Sequence, residues 1–143
     1  MSDLYDDDVL LWSERQAALL RRMAAGERLN DQVDWGNVAE EIEDVGRSEL
    51  HAVESLLEQA LCHMLKAHAW PTARDVPKWE AEARGFRNDA RRRFTPSMRQ
   101  KIDLASLYDD ARAGVPDTYD GMAPLPVPER CPVTLDELLS RDP

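Results

Sequence analysis

The sequence predicts an all-α protein, a helical bundle of four main helices, one of them long, followed by a proline-rich strapped tail that ends in a short helix. Three observations carry this prediction. Apolar residues recur at spacings of three and four, no segment alternates as a strand does, and prolines and glycines separate the periodic segments. With 143 residues, 43% of them hydrophobic, the chain is long enough for a core. We expect one domain over residues 1–143, with core helices in 6–113 and an irregular tail in 114–143.

The first helix is expected from Asp6 to about Ala25. Asp6 suits the N-cap, Arg21 and Arg22 suit the negative end of the helix dipole, and Gly26 suits the stop. The members of its apolar stripe are Val9, Trp12, Gln16, Leu19, Leu20 and Met23.

The second helix is the long one. Asp34 can cap it, Val33 and Val38 can form a hydrophobic staple, and Pro71 ends it. An unbroken helix of about 35 residues spans roughly 50 Å. Gly46 is its one internal weak point, and we expect the helix to continue through it. Its apolar face comprises Val38, Ile42, Val45, Ala52, Val53, Leu56, Ala60, His63, Met64 and Ala67.

Two further helices and a tail complete the predicted fold. Pro77 suits the first turn of the third helix, and Pro96 the start of a fourth that runs to about Ala113. The third helix has the stripe Trp79, Ala83, Phe86, Ala90 and Phe94, and the fourth has Met98, Ile102, Ala105, Tyr108 and Ala111. The segment 114–132 holds five prolines and predicts an extended strap laid across the bundle. Thr134 and Glu137 form a capping box for the short last helix.

The net charge of −10 is unevenly distributed. Residues 1–58 carry fifteen acidic and five basic side chains, 66–101 carry four and ten, and 102–143 carry nine and three. An acidic protein repels nucleic acid and anionic membranes at long range. The pattern predicts that the basic segment packs beside the acidic ones, within a monomer or across a dimer.

Four separated motifs occur in a fixed order along the chain. An acidic first helix with a tryptophan is followed by DWGNVAEEIEDVGRSE at 34–49, HMLK at 63–66 and CPVT at 131–134. Together they resemble the bacterial family called domain of unknown function number twenty-nine. Met64 departs from the family's usual leucine, and Val133 from a common aromatic residue. The resemblance implies an all-helical bundle in the bacterial cytoplasm, and it implies no activity, cofactor or site residue.

The polar residues that could take part in catalysis or metal binding lie mainly on the long helix. The candidate cluster comprises Glu40, Glu41, Asp44, Glu49, His63 and Lys66. Carboxylates three and four residues apart share a helix face and could hold a divalent cation. The helix dipole and a pair between Glu43 and Arg47 explain the same acids without a metal. Glu41 and Glu49 lie on or beside the apolar stripe, where the simplest partner is an arginine of the third helix.

The histidine of this cluster lies far along the helix from the acids. Glu41 and His63 would be about 33 Å apart along an unbroken helix. They could share a site only if the helix broke near Gly46 or if an antiparallel dimer brought the two ends together. We interpret His63 as a hydrogen-bonded core residue, and Cys62 and Cys131 as small apolar core residues. The two cysteines lack a CxxC spacing.

The arginine-rich third helix is a second candidate surface. Arg84, Arg87 and Arg91 line one of its sides and could bind an anion such as a phosphate backbone. The neighbouring aromatic residues lie on the apolar stripe, so we expect these arginines to be solvated or paired with acids.

The sequence favours a non-catalytic, homo-oligomeric interaction or regulatory module, with a dimer formed through the long second helix. The same helix face could also bind a different protein, which the sequence does not identify. We predict no cofactor, metal or membrane association. The acidic start MSDLYDDD differs from a signal peptide and favours a cytoplasmic location.

Two alternatives stay open. The first is a metal-assisted or hydrolytic enzyme that uses Glu40, Glu41 and Asp44, with His63 and Lys66 supplied across an interface. The second is nucleic-acid binding through residues 84–101.

Overall fold

The computed structural model describes residues 3–141; residues 1, 2, 142 and 143 of the predicted domain and tail lie outside the described part. Within that part the chain is all-α and has no β-strand beyond one isolated bridge, which confirms the predicted fold class. The helices are α1 (Leu4–Asp7), α2 (Val9–Ala24), α3 (Trp35–Ala69), α4 (Val76–Arg93), α5 (Leu104–Ala113) and α6 (Leu135–Leu139). None of the helices described is both long and apolar enough to cross a membrane.

The chain divides into two compact units, residues 1–47 and 48–143. The first contains α1, α2 and the beginning of α3, and the second contains the rest of α3, α4, α5, the tail and α6. The single domain predicted over residues 1–143 stays a prediction.

The first unit begins with two helices where the sequence predicted one. Asp8 interrupts the helix, because its non-helical backbone ends α1 and its carboxylate caps α2 by accepting from the N–H of Leu11. The predicted stop is correct, since Gly26 has a φ of +108° that favours glycine. Trp12, Val33 and Val38 form the buried core, so the predicted staple is confirmed, whereas Val9 of the predicted stripe is exposed.

The long helix begins directly after Asp34 and ends two residues before Pro71, as predicted. It is helical through Gly46 without interruption. The carbonyl of Asp34 accepts from the N–H of Val38, and its own N–H donates to Gln16 Oε1 at 2.8 Å. This bond explains why a polar glutamine belongs to the apolar stripe of the first predicted helix.

The second unit has a larger core, formed where α3, α4, α5 and α6 meet. Its buried residues are Val53, Leu57, Leu61, Leu65, Ala90, Met98, Tyr108, Ala111 and Leu138. A second buried cluster, Ala69, Trp70, Ala73 and Trp79, lies where α3 passes into α4.

The helix in the structure, α5, is shorter than the fourth helix that the sequence predicted from Pro96 to about Ala113. Residues Pro96–Met98 form a single 3-10 turn, and α5 begins only at Leu104. The reason is Asp103, which has an extended backbone and caps α5 by accepting from the N–H of Ser106. The hydrogen bonds of Asp103 with Ser106 also lower the pKa of its carboxyl group.

Within the second unit, the proline-rich strap packs against α3 and α5, as the sequence predicted. The indole of Trp70 donates to the carbonyl of Met122 at 3.0 Å, and the N–H of Leu125 donates to the carbonyl of Ala69 at 2.9 Å. The hydroxyl of Tyr108 donates to the carbonyl of Pro128 at 2.5 Å. The strap ends at α6, where the predicted capping box is present.

Candidate functional site

The acidic cluster near the start of α3 is an ion-pair network around one arginine. Arg47 lies 2.9 Å from Glu40 and 3.4 Å from Glu43, and it also pairs closely with Asp44. The hydrogen bond to Asp44 is the largest cause that raises the pKa of Arg47. All four side chains are at least 42% exposed, so the network contributes little to stability.

Glu41 has a different partner from the one the sequence suggested. The hydroxyl of Tyr5 in α1 donates to Glu41 Oε1 at 2.5 Å, and its ring packs edge-on against Trp12. This hydrogen bond, aided by burial, raises the pKa of Tyr5 to about 12. The expected arginine partner is therefore wrong for Glu41, because α1 places a phenol beside this carboxylate.

Glu49 does meet an arginine of the basic helix. Its carboxylate lies 3.0 Å from the guanidinium of Arg93 at the end of α4. Both side chains are about half exposed. This ion pair joins α3 to α4 within the second unit.

His63 is held at both ring nitrogens. Nδ1 lies 2.8 Å from the carbonyl of Gln59, and Nε2 lies 2.6 Å from Glu82 on α4. The ring also packs on Phe86 at 5.3 Å between centroids. Because an oxygen atom lies within hydrogen-bond distance of each nitrogen, a metal could reach the ring only by displacing Gln59 or Glu82. The geometry is that of a contact between α3 and α4.

The other members of the polar cluster show no chemistry with His63. Lys66 follows one turn later on α3. Burial raises the pKa of the Cys62 thiol, and the positive charge of Lys66 opposes this rise. Within residues 3–141, no three side chains of His, Cys, Asp and Glu lie close enough to hold a metal ion together.

Two of the three candidate anion-binding arginines are engaged with the last turn of α6. Arg87 donates to the carbonyls of Glu137 and Leu138 at 2.9 Å each, and Arg91 donates to the carbonyl of Ser140 at 3.3 Å. Cations suit the negative end of a helix, whose last carbonyls have no partner inside the helix. Arg84 is exposed on α4.

Sequence reasoning missed two of these partners. Glu82 was not considered, although it lies one turn before Phe86 on the helix that was expected to pack against α3. Tyr5 lies before the predicted first helix, so no periodic pattern marked it. The arginine contacts with α6 join residues about fifty positions apart, and no local signal predicts them.

An apolar surface on α3 was also missed. Ile42 and Val45 lie one turn apart and are 68% and 69% exposed, although both belong to the predicted buried stripe. We call this surface, Ile42 and Val45 with the adjoining Gly46, the Ile42 face. Of the seven large hydrophobic side chains exposed within residues 3–141, five lie in the first unit: Val9, Leu10, Trp35, Ile42 and Val45.

The fold and the site define a class of all-α proteins in which a long helix exposes apolar side chains while the nearby ionisable groups bind one another. The chain belongs to the family described as "Domain of unknown function DUF29", whose model matches residues 4–142. The resemblance noted from the sequence motifs is thereby confirmed.

One solved structure supports this relationship along the whole chain. The chain is similar to an alpha-helical protein of unknown function from Rhodospirillum rubrum, with 29% sequence identity and a TM-score of 0.64. The match covers 99% of this chain and 92% of that one. No curated protein matches the chain.

Proposed function

We propose that the chain is a non-catalytic interaction module that forms a homodimer through the Ile42 face of α3. The observation that carries this proposal is the exposure of two adjacent branched side chains, Ile42 and Val45, at 68% and 69%. Contiguous apolar side chains on a water-facing helix are typical of contact surfaces.

The charge distribution supports a second copy of the chain as the occupant. Residues 3–47 carry twelve acidic and five basic side chains, whereas residues 66–101 carry four acidic and ten basic ones. A second copy therefore offers a basic segment to an acidic one, and a two-fold axis would make both contacts at once.

The expected dimer is reversible. Ile42 and Val45 of both copies contribute up to about 6–12 kcal/mol when buried, whereas association costs about 4–15 kcal/mol in lost freedom of motion. A specific interface buries about 800 Å² per partner, so further side chains must join the contact. We expect a dissociation constant in roughly the micromolar range.

Sedimentation velocity over a concentration series tests the proposal. We expect the native chain to pass from monomer to dimer, and the double variant I42Q/V45Q to stay monomeric with an unchanged circular dichroism spectrum. Leu10→Gln is the matched control, because Leu10 is also 68% exposed but lies on α2. A native chain that stays monomeric throughout, or a double variant that dimerises as well as the native chain, would contradict the proposal.

We also propose a bacterial cytoplasmic location. Cys62 and Cys131 are free thiols, which suits a reducing compartment. Fractionation of cells that express the untagged protein, followed by detection with an antibody, tests this location.

A further inference from the structure

A cavity of about 160 Å³ lies in the second unit between α3, α5 and the proline-rich strap. The residues that line it are Leu61, Met64, Leu65, His68, Tyr108, Pro128, Pro132 and Val133. None of them belongs to the Ile42 face, so the cavity is independent of the proposed dimer contact.

The walls of this cavity favour an apolar guest over water. Leu61, Leu65 and Tyr108 are buried, and the Tyr108 hydroxyl already donates to the carbonyl of Pro128. A water molecule in a cavity needs two to four polar partners. Of the lining side chains, His68 is the one whose polar atoms make none of the hydrogen bonds described within residues 3–141. It is also exposed, so it marks the side where the cavity meets solvent.

Size and wall chemistry together favour an aromatic ring. A dry apolar cavity of about 150 Å³ in another protein takes up benzene. Here the ring of Tyr108 and the thioether of Met64 supply the contacts that an aromatic guest prefers. The imidazole of His68 can donate or accept one hydrogen bond at the entrance.

We propose that this cavity is a binding site for a neutral, single-ring aromatic molecule with one hydroxyl group, of which phenol is the simplest example. The ring lies among Leu61, Met64 and Tyr108, and the hydroxyl group reaches His68. The strap supplies one wall through Pro128, Pro132 and Val133, so a bound guest also holds the strap against α3 and α5.

Titrations followed by NMR with phenol, benzene and cyclohexanol test this proposal on the full chain. We expect phenol to bind about three- to tenfold more tightly than benzene because of one added hydrogen bond. Cyclohexanol should bind more weakly than phenol because it lacks the aromatic ring. Phenol should also slow amide hydrogen exchange at Cys131 and Val133, which lie beside and in the wall that the strap supplies.

Two variants assign the binding to this cavity. His68→Leu should retain benzene binding and lose the advantage of phenol over benzene, since it removes only the hydrogen-bonding group. Val133→Phe should fill the cavity and abolish binding of both molecules. Val127→Phe is the matched control, because Val127 is a half-buried strap valine outside the cavity lining.

The results that would overturn the proposal are equally specific. Phenol that fails to shift any resonance of the lining residues up to its solubility limit would refute it. So would binding that survives Val133→Phe in a chain with native helicity. If Val133→Phe does not fold, the comparison of phenol and benzene in His68→Leu decides the question by itself.

Discussion

Replacing Gly46 with alanine tests both the continuity of α3 and the function proposed for its exposed face. Gly46 lies inside the long helix with no strained backbone angle, and a methyl group built on it would meet no atom within 4 Å. Gly85 inside α4 has the same properties and serves as the matched control. Gly46 adjoins Ile42 and Val45 on α3, whereas Gly85 lies on α4 and is no part of the Ile42 face.

The expected gain follows from helix propensity. Glycine in a helix interior is about 0.8–1.0 kcal/mol less favourable than alanine. With no steric conflict to subtract, Gly46→Ala and Gly85→Ala should each raise the free energy of unfolding of the monomer by about 0.5–1 kcal/mol. For a chain of this length the melting temperature should rise by about 2–4 °C.

Urea denaturation at a concentration where the chain is monomeric measures this gain. Sedimentation at higher concentration then measures the dimer. If copies meet through the Ile42 face, the added methyl group at Gly46 lies between them and should weaken dimerisation, whereas Gly85→Ala should leave it unchanged.

Two results would refute the reasoning. If Gly46→Ala destabilises the monomer while Gly85→Ala stabilises it, the helix is not regular at Gly46. If both variants stabilise the monomer equally and dimerise like the native chain, Gly46 lies outside the contact, and the Ile42 face loses its role as the interface.

Four further predictions follow from individual contacts. Hydrogen bonds from Asn37 and the Trp12 indole lower the pKa of Asp34 in the folded chain below its usual 3.8. The ionised carboxylate therefore stabilises the fold above pH 3.8, and this contribution is lost as the pH falls through the lowered pKa. Asp34→Asn should remove this part of the acid dependence of stability, which Trp fluorescence measures. A double-mutant cycle on Glu49 and Arg93 should give no more than about 1 kcal/mol, falling with added salt, because both side chains are half exposed; a larger, salt-independent coupling would contradict this. Arg87→Met removes the side chain that donates to the carbonyls of Glu137 and Leu138; it should lower the free energy of unfolding in urea by about 2 kcal/mol, and unchanged stability would show that the contact contributes nothing. Addition of zinc, manganese or magnesium should leave the melting temperature unchanged, and a saturable rise would favour the metal-dependent alternative.

The sequence predicted those features of the fold that depend on neighbouring residues. The bounds of α3 follow from Asp34 and Pro71, and the start of α6 follows from Thr134 with Glu137, because caps and prolines act within one turn. The strap was predictable for the same reason, since its prolines cannot enter a helix interior.

The remaining features depend on distant parts of the chain. Periodicity identified Ile42 and Val45 as one apolar face, but it cannot show whether another element covers that face. Arg87 and Arg91 were recognised as a basic surface, yet both donate to backbone carbonyls at the end of α6, which carry no sequence signal. Asp103 starts α5 inside the predicted fourth helix although the apolar spacing continues through it, because a local cap outweighed the periodic pattern.

The polar and apolar surfaces of α3 lead to different conclusions about function. Glu41 accepts from Tyr5, Glu49 pairs with Arg93, and Arg47 gathers the remaining acids. Within residues 3–141, each buried side-chain nitrogen or oxygen has a hydrogen-bond partner. The hydrogen bonds and ion pairs of these polar groups therefore connect parts of the fold to one another. Ile42 and Val45 instead leave apolar area in water, which is unfavourable until another surface covers it, and this difference supports the proposed association through α3.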